Sequence, residues 1–269
     1  MNVRILEGDC VEKMKEQPED IVDLTVTSPP YDNLRTYKGY SFDFENVVKG
    51  LYRITKVGGV VVWVVADSTL DGSESGTSFK QALFFKECGF NLHDTMIWVK
   101  DGGGAIGSNL CYTQNWEFMF VFSKGKPSTV NLLRDKPNKS AGKNKSGVGR
   151  RTVEGEHKIE QRKPCAEFSR RNNWWYIPPE RGDHPAVFPE ALANDHILSW
   201  SKPGDLILDP FVGGGTTGKM AILNGRHFIG MDIASEYVNM SKERIEKAQA
   251  TLQYGSCELT VPVGGIPTL

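Results

Sequence analysis

The chain has 269 residues, 39% of them hydrophobic and 24% charged, with a net charge of −1. That length supports a core without staples. Five scattered cysteines with no Cys-x-x-Cys argue against a disulfide framework or a zinc site, and a reducing cytoplasm is expected. No apolar run approaches a membrane span, and the first seven residues lack a signal-peptide core.

Residues 3–17 read as a short strand, a Gly8-Asp9 turn and a helix starting near Cys10. Residues 21–27 are β-branched and apolar, a buried strand that ends in Thr27-Ser28-Pro29-Pro30-Tyr31. Two prolines fix φ and so fix the direction of the carbonyl before each ring. A fixed acceptor, a hydroxyl at Ser28 and a flat ring at Tyr31 suit a planar heterocycle that carries an NH2 group. Taken alone, Pro29-Pro30 is better explained as a plain proline turn capping the strand, and the rest of the chain changes that balance. Residues 42–55 have helical apolar spacing, which Gly58-Gly59 is expected to break before a buried strand at 60–65. A helix at 78–88 and strands at 96–99 and 117–122 follow, the last expected to end the sheet.

Composition then changes. Residues 124–171 hold 14 Lys or Arg against 5 Asp or Glu, a local charge of +9 that leaves −10 for the rest. A basic island in an acidic body suggests a polyanion-facing insert, although a solvated loop has the same charge. Trp174-Trp175-Tyr176 marks a return to packed structure, with base stacking as the alternative use of the rings. A helix from Pro189 to Trp200, a strand at 206–208, a helix at 216–223, a strand at 227–231 and a helix at 234–250 complete the reading.

Between the strand at 206–208 and the helix at 216–223 lies Asp209-Pro210-Phe211-Val212-Gly213-Gly214-Gly215-Thr216-Thr217-Gly218-Lys219. Gly213, Gly215 and Gly218 satisfy G-x-G-x-x-G, and Asp232 follows Gly213 by 19 residues, the dinucleotide-binding spacing. The same stretch fits most of a Walker A loop, but Met220 stands where Ser or Thr would hold magnesium. It also fits an S-adenosylmethionine loop, with Asp232 toward the ribose and Asp209 toward the ammonium group.

Together the two constellations resemble the amino-group DNA methyltransferases, which methylate N4 of cytosine or N6 of adenine. Thr27 to Tyr31 matches their catalytic motif, and Asp209 to Thr217 their cofactor loop. Gly8-Asp9-Cys10, His184-Pro185-Ala186 and Phe188-Pro189-Glu190 match further elements. The order, catalytic motif, variable region, cofactor motif, resembles the β class.

The resemblance implies an α/β fold, a Rossmann-like methyltransferase mixed sheet with a terminal antiparallel hairpin and an inserted basic target-recognition region. It implies a catalytic half at 1–123, the insert at 124–175, a cofactor-binding half at 176–252 and a tail at 253–269. Ser28, Pro29, Pro30 and Tyr31 are the implied catalytic residues. Asp9, Cys10, Thr27, His184, Phe188, Asp209, Phe211, Gly213, Gly215, Thr216, Asp232 and Ile233 are the implied contacts to S-adenosyl-L-methionine. Arg35, Lys38, Arg150 and Arg151 are expected against double-stranded DNA, whose target base is flipped. A homodimer is left open, and neither a metal nor a membrane partner is expected. Ser28 favours cytosine N4 over adenine N6. A DNA-binding module without activity, and an RNA or protein methyltransferase, are the rival readings. Pro164-Cys165 and Glu45-Asn46-Val47 imitate cytosine-C5 motifs, but in the wrong order and context, and are read as incidental.

Overall fold

The computed structural model describes residues 1–30, 42–100, 111–143, 150–151, 157–158, 164–180 and 189–255. The chain divides into two compact units, Met1–Asn131 with Asn173–Leu269, and Leu132–Asn172. Tyr31, Arg35, Lys38, His184 and Phe188 lie outside the described residues, as does everything after residue 255.

The first unit is built on β1 (Val3–Glu7), β2 (Val22–Thr27), β3 (Thr55–Val65), β4 (Asn91–Val99), β5 (Trp116–Ser123), β6 (Trp174–Tyr176), β7 (Leu206–Asp209) and β8 (His227–Asp232). They form one sheet in the order β1-β8-β7-β2-β3-β5-β4-β6. Only β5 runs against its neighbours β3 and β4; every other pairing is parallel. The helices are α1 (Cys10–Lys15), α2 (Phe44–Ile54), α3 (Thr77–Glu87), α4 (Glu190–Trp200), α5 (Thr216–Leu223) and α6 (Ser235–Gly255). The mixed sheet and its antiparallel hairpin, β4 with β5, agree with the fold expected from sequence.

The central strands are apolar on both faces because helices cover both. Val60 to Val65 on β3 are all buried, including Trp63, whose indole N–H donates to Gln81 Oε1 at 2.8 Å. Phe85 of α3 stacks on Phe122 of β5 with centroids 4.1 Å apart. Each such ring contributes about 1.5–3 kcal/mol of burial. On α2 the apolar spacing works as read: Val47, Val48, Leu51 and Ile54 are buried, while Glu45 pairs with Lys49 in solvent.

Two expectations fail. Strand β5 does not end the sheet, because β4 and then β6 pair beyond it. An apolar β-rich run reads alike inside the sheet or at its edge, and the pairing of Trp174–Tyr176 with Ile97–Val99 is non-local. Nor does Gly58-Gly59 separate the helix from the strand, since α2 already ends at Ile54. The strand starts at Thr55, and the β2–β3 register jumps from Val22↔Thr55 to Leu24↔Val60. This is a bulge, with Gly58 at φ +86°. A Cβ on Gly59 would stand 2.7 Å from Thr55 Cγ2 and 2.9 Å from the Lys56 carbonyl. The glycines fold the strand over itself.

In the second unit Lys136–Pro137 pairs with Phe168–Ser169, and Arg150–Arg151 with His157–Lys158, both antiparallel. Arg171 pairs with Asp135, holding that carboxyl below its usual range. Among the described residues no helix is long and apolar enough to cross a membrane.

Candidate active site

In an open parallel sheet a crevice forms where neighbouring strands send their connections in opposite directions. Here that point lies between β2 and β7. The chain leaves β2 through α2 to β3, and leaves β7 through α5 to β8 on the other side. The carboxyl ends of β2 and β7 carry the two stretches singled out in the sequence, Ser28-Pro29-Pro30 and Asp209 to Gly215.

One hydrogen bond ties them together. Thr27 Oγ1 donates to Asp209 Oδ1 at 2.7 Å, across 182 residues of chain. The Phe211 amide donates to the same oxygen at 3.1 Å, and the Thr217 side chain also hydrogen-bonds the carboxylate. Asp209 is 5% exposed. Burial pushes its pKa up to about 6 despite these bonds, with Asp232 adding to the rise. Thr27, Phe211 and Thr217 thus hold Asp209 in place at the end of its strand. Pro29 is buried, while Ser28 and Pro30 on either side of it are partly exposed.

Gly213, Gly215 and Gly218 each have a separate reason to be glycine. Gly213 sits at φ +46° and donates its amide to Asp232 Oδ2 at 3.1 Å. Gly215 sits at φ +78°, and a Cβ there would meet Ser241 Cα of α6 at 2.9 Å. Gly218 lies where a Cβ would strike Ile245 and Phe228, both within 2.5 Å. It lets α5 close onto α6 and β8, the role of the third glycine in dinucleotide folds. Phe211 is partly exposed and its ring meets Phe42 edge-on at 5.5 Å.

Asp232 ends β8 and is partly exposed, as is Ile233 after it. Its Oδ1 accepts the Ala234 amide at 3.0 Å, so the carboxylate is aimed by backbone on both oxygens. The Gly8 amide donates to the Asp232 carbonyl at 2.9 Å, bringing the Gly8-Asp9-Cys10 turn alongside. Asp9 itself caps α1, accepting the amides of Val11 and Glu12. Cys10 is buried; desolvation, with Asp9 adding, pushes its thiol up to about 12, so it is neutral and no nucleophile.

The glycine loop is held from outside by an ion-pair network that the sequence reading missed. Arg244 of α6 donates to the Gly214 carbonyl at 3.1 Å, to Thr216 Oγ1 at 3.0 Å and to Glu190 Oε1 at 2.7 Å. Lys219 donates to the same Glu190 oxygen at 2.6 Å. That use of Lys219 disposes of its Walker A role. Asp67, just after β3, was also missed. It is buried and accepts from Ser75, the Ser78 amide and the Ser78 hydroxyl, securing the start of α3. Neither contact has a local sequence signal.

The rest of the expected site divides. Arg150 and Arg151 lie in the second unit, on a two-residue strand whose side chains are outside the described set. Cys165 is half-buried in that unit, its amide donating to the Lys143 carbonyl and its carbonyl accepting the Gly142 amide. On β6, Trp175 is buried while Trp174 and Tyr176 are 54% and 55% exposed. The described residues hold no group of three or more His, Cys, Asp or Glu suited to a metal.

The chain is similar to several known DNA methyltransferases. The orphan methyltransferase M.BamHII of Bacillus amyloliquefaciens is 53% identical over 246 residues, covering 87% of this chain and 92% of its own. The DNA adenine methyltransferase YhdJ of Escherichia coli K12 is 28% identical over 91% of this chain and 83% of its own. A DNA modification methylase of Thermus thermophilus, TTHA0409, described as putative and solved with S-adenosyl-L-methionine, superposes with a TM-score of 0.63 at 25% identity, covering 91% of this chain and 93% of that one. The family model described as DNA methylase, the N6 and N4 group, matches residues 22–243, and this chain belongs to that family.

Proposed function

We propose that the chain transfers a methyl group from S-adenosyl-L-methionine to the exocyclic N4 of cytosine in double-stranded DNA. The observation that carries this reading is the Thr27–Asp209 hydrogen bond, which locks the Ser28-Pro29-Pro30 loop beside the glycine loop at the crevice of the sheet. The residues present fit such a cofactor. A partly exposed carboxylate, Asp232, ends the strand beside the glycine loop and is tied to it by the Gly213 amide, in the spacing that takes a ribose diol. Asp232, Gly213, Gly215, Thr216, Phe211 and Ile233 would hold it, with His184 and Phe188 from the preceding segment. Bound there, it supplies an electrophilic methyl group on a sulfonium.

The chain's own residues prepare the nucleophile. An exocyclic amino nitrogen is poor because its lone pair is delocalised into the ring. The Pro29 carbonyl, whose direction the prolines fix, accepts one N–H. The Ser28 hydroxyl takes a second bond, which favours a pyramidal nitrogen and localises the pair. Tyr31 stacks on the flipped base. Catalysis is positioning and electrostatics, with no covalent enzyme intermediate. Ser28→Ala should lower turnover more than substrate binding, which steady-state kinetics on duplex DNA would read.

Cytosine is favoured by Ser28, a short side chain able to donate as well as accept. Adenine N6 is the second reading, supported by the E. coli relative's name. Digestion of methylated DNA to nucleosides, followed by mass spectrometry against both standards, decides between them; N6-methyladenine alone overturns the cytosine assignment. The basic segment at 124–175 is proposed as the target-recognition region. Neutralising Arg150 and Arg151 should flatten the slope of log K against log salt by about two phosphate contacts. An unchanged slope returns the pair to solvent.

A further inference from the structure

Two residues outside the glycine loop itself converge on it. Arg244 lies one residue past the span matched by the family model, and Glu190 opens α4, far from the loop in sequence. Arg244 Nη1 bridges the Gly214 carbonyl and the Thr216 hydroxyl, at 3.1 and 3.0 Å. Its Nη2 is held by Glu190 Oε1 at 2.7 Å. One turn earlier on the same face of α6, Ser241 packs so closely on Gly215 that no Cβ fits between them. The loop therefore rests on α6 at two adjacent points, one steric and one hydrogen-bonded.

The consequence is local and geometric. With the Gly214 carbonyl pinned, the peptide between Gly214 and Gly215 cannot rotate, and the Gly215 amide is held toward the Val212 carbonyl at 2.8 Å. The Gly213 amide is committed to Asp232. Glycines cost conformational entropy to order, so a loop with positive φ at both Gly213 and Gly215 gains from an external tie that keeps it in one conformation. Arg suits the task because its planar fork reaches a backbone carbonyl, a hydroxyl and a carboxylate at once, which an ammonium does less well. Glu190 holds the guanidinium in place, and Lys219 shares the same carboxylate oxygen without reaching the loop.

We propose that Arg244, oriented by Glu190, is a positioning residue that preorganises the glycine loop and so sets the affinity for the cofactor. This rests on the S-adenosylmethionine assignment above. The test uses the full chain with duplex DNA substrate, calorimetric titration of S-adenosylmethionine and steady-state kinetics. Arg244→Ala should raise the cofactor Kd and KM about tenfold, the scale of one charge-assisted hydrogen bond, while kcat at saturation stays within about twofold. Arg244→Lys should recover part of the loss, and Glu190→Gln should raise KM by about threefold. Lys219→Met should stay within about twofold, because Arg244 keeps every contact. An equal rise for Lys219→Met and Arg244→Ala would mean general loosening and overturns the proposal. So does a loss of kcat at unchanged KM. Wild-type protein that binds no S-adenosylmethionine removes the cofactor assignment and this inference together. Wild-type binding that Arg244→Ala leaves unaltered overturns this inference alone.

Discussion

Asp209 and Asp232 end neighbouring parallel strands, β7 and β8, and both stand beside the same glycine loop. Asp209 is enclosed, and its partners are Thr27, the Phe211 amide and Thr217. Asp232 is partly exposed and is aimed by the amides of Gly213 and Ala234. Burial holds Asp209 toward its neutral form, with its pKa at about 6. The difference teaches that a carboxylate at a strand's carboxyl end is no guide to its role until its neighbours are known. One of the pair braces two loops against each other, and the other stays partly exposed, aimed by the amides of its own loop and strand end.

Removing the outward-facing carboxylate should have the largest effect. Asp232→Ala should weaken S-adenosylmethionine binding by about 1.5–3 kcal/mol, roughly ten- to a hundredfold in Kd. Isothermal titration of the purified variant measures it, and an unaltered affinity would move the ribose contact elsewhere.

The inward-facing carboxylate should show itself in pH dependence instead. A carboxyl raised from 3.8 to about 6 binds more protons folded than unfolded. Its contribution to stability is present at low pH and is lost as the pH rises through about 6. Asp209→Asn cannot ionise and keeps an acceptor for Thr27 and Phe211. The variant should therefore gain on the wild type by about 2 kcal/mol between about pH 4.5 and pH 7.5. Urea denaturation at both pH values reads the gap; parallel curves would mean that Asp209 is not held toward neutrality.

Thr27→Val probes the tie alone, at the smallest cost. It preserves shape, removes one donor from a buried carboxylate and should destabilise by about 1–1.5 kcal/mol at neutral pH, and less in acid. The loss should shrink when Asp209 is already Asn, which a double-mutant cycle measures. Additive losses would show that the bond between the loops carries no energy.

Protonation matters elsewhere in the same network. Burial alone would raise the pKa of Glu190, but hydrogen bonds and charge from Lys219 and Arg244 outweigh it and hold the carboxyl low. The clamp on the glycine loop therefore survives mild acid, while Asp209 changes state within that range.

Much of this was legible in the residues. The β-branched run before Thr27, the helical spacing of α2 and the glycines opening α5 are local patterns, and they fold as they read. The length of β3 was not legible, because glycines that end one strand can bulge another, and the choice depends on pairing with Val22 and Leu24. The place of β5 was not legible either, since sheet order is set by partners distant in sequence.

The sequence by itself determined the glycine loop, the proline turn and the spacing to Asp232, because each is a property of backbone freedom within a few residues. Only the tertiary structure decided that Asp209 turns inward, that Lys219 serves Glu190 and that Arg244 holds Gly214. Those outcomes depend on which strand lies beside β7 and which helix crosses the loop. They are settled by the burial of charge and the pairing of backbone groups between segments that are far apart in the chain.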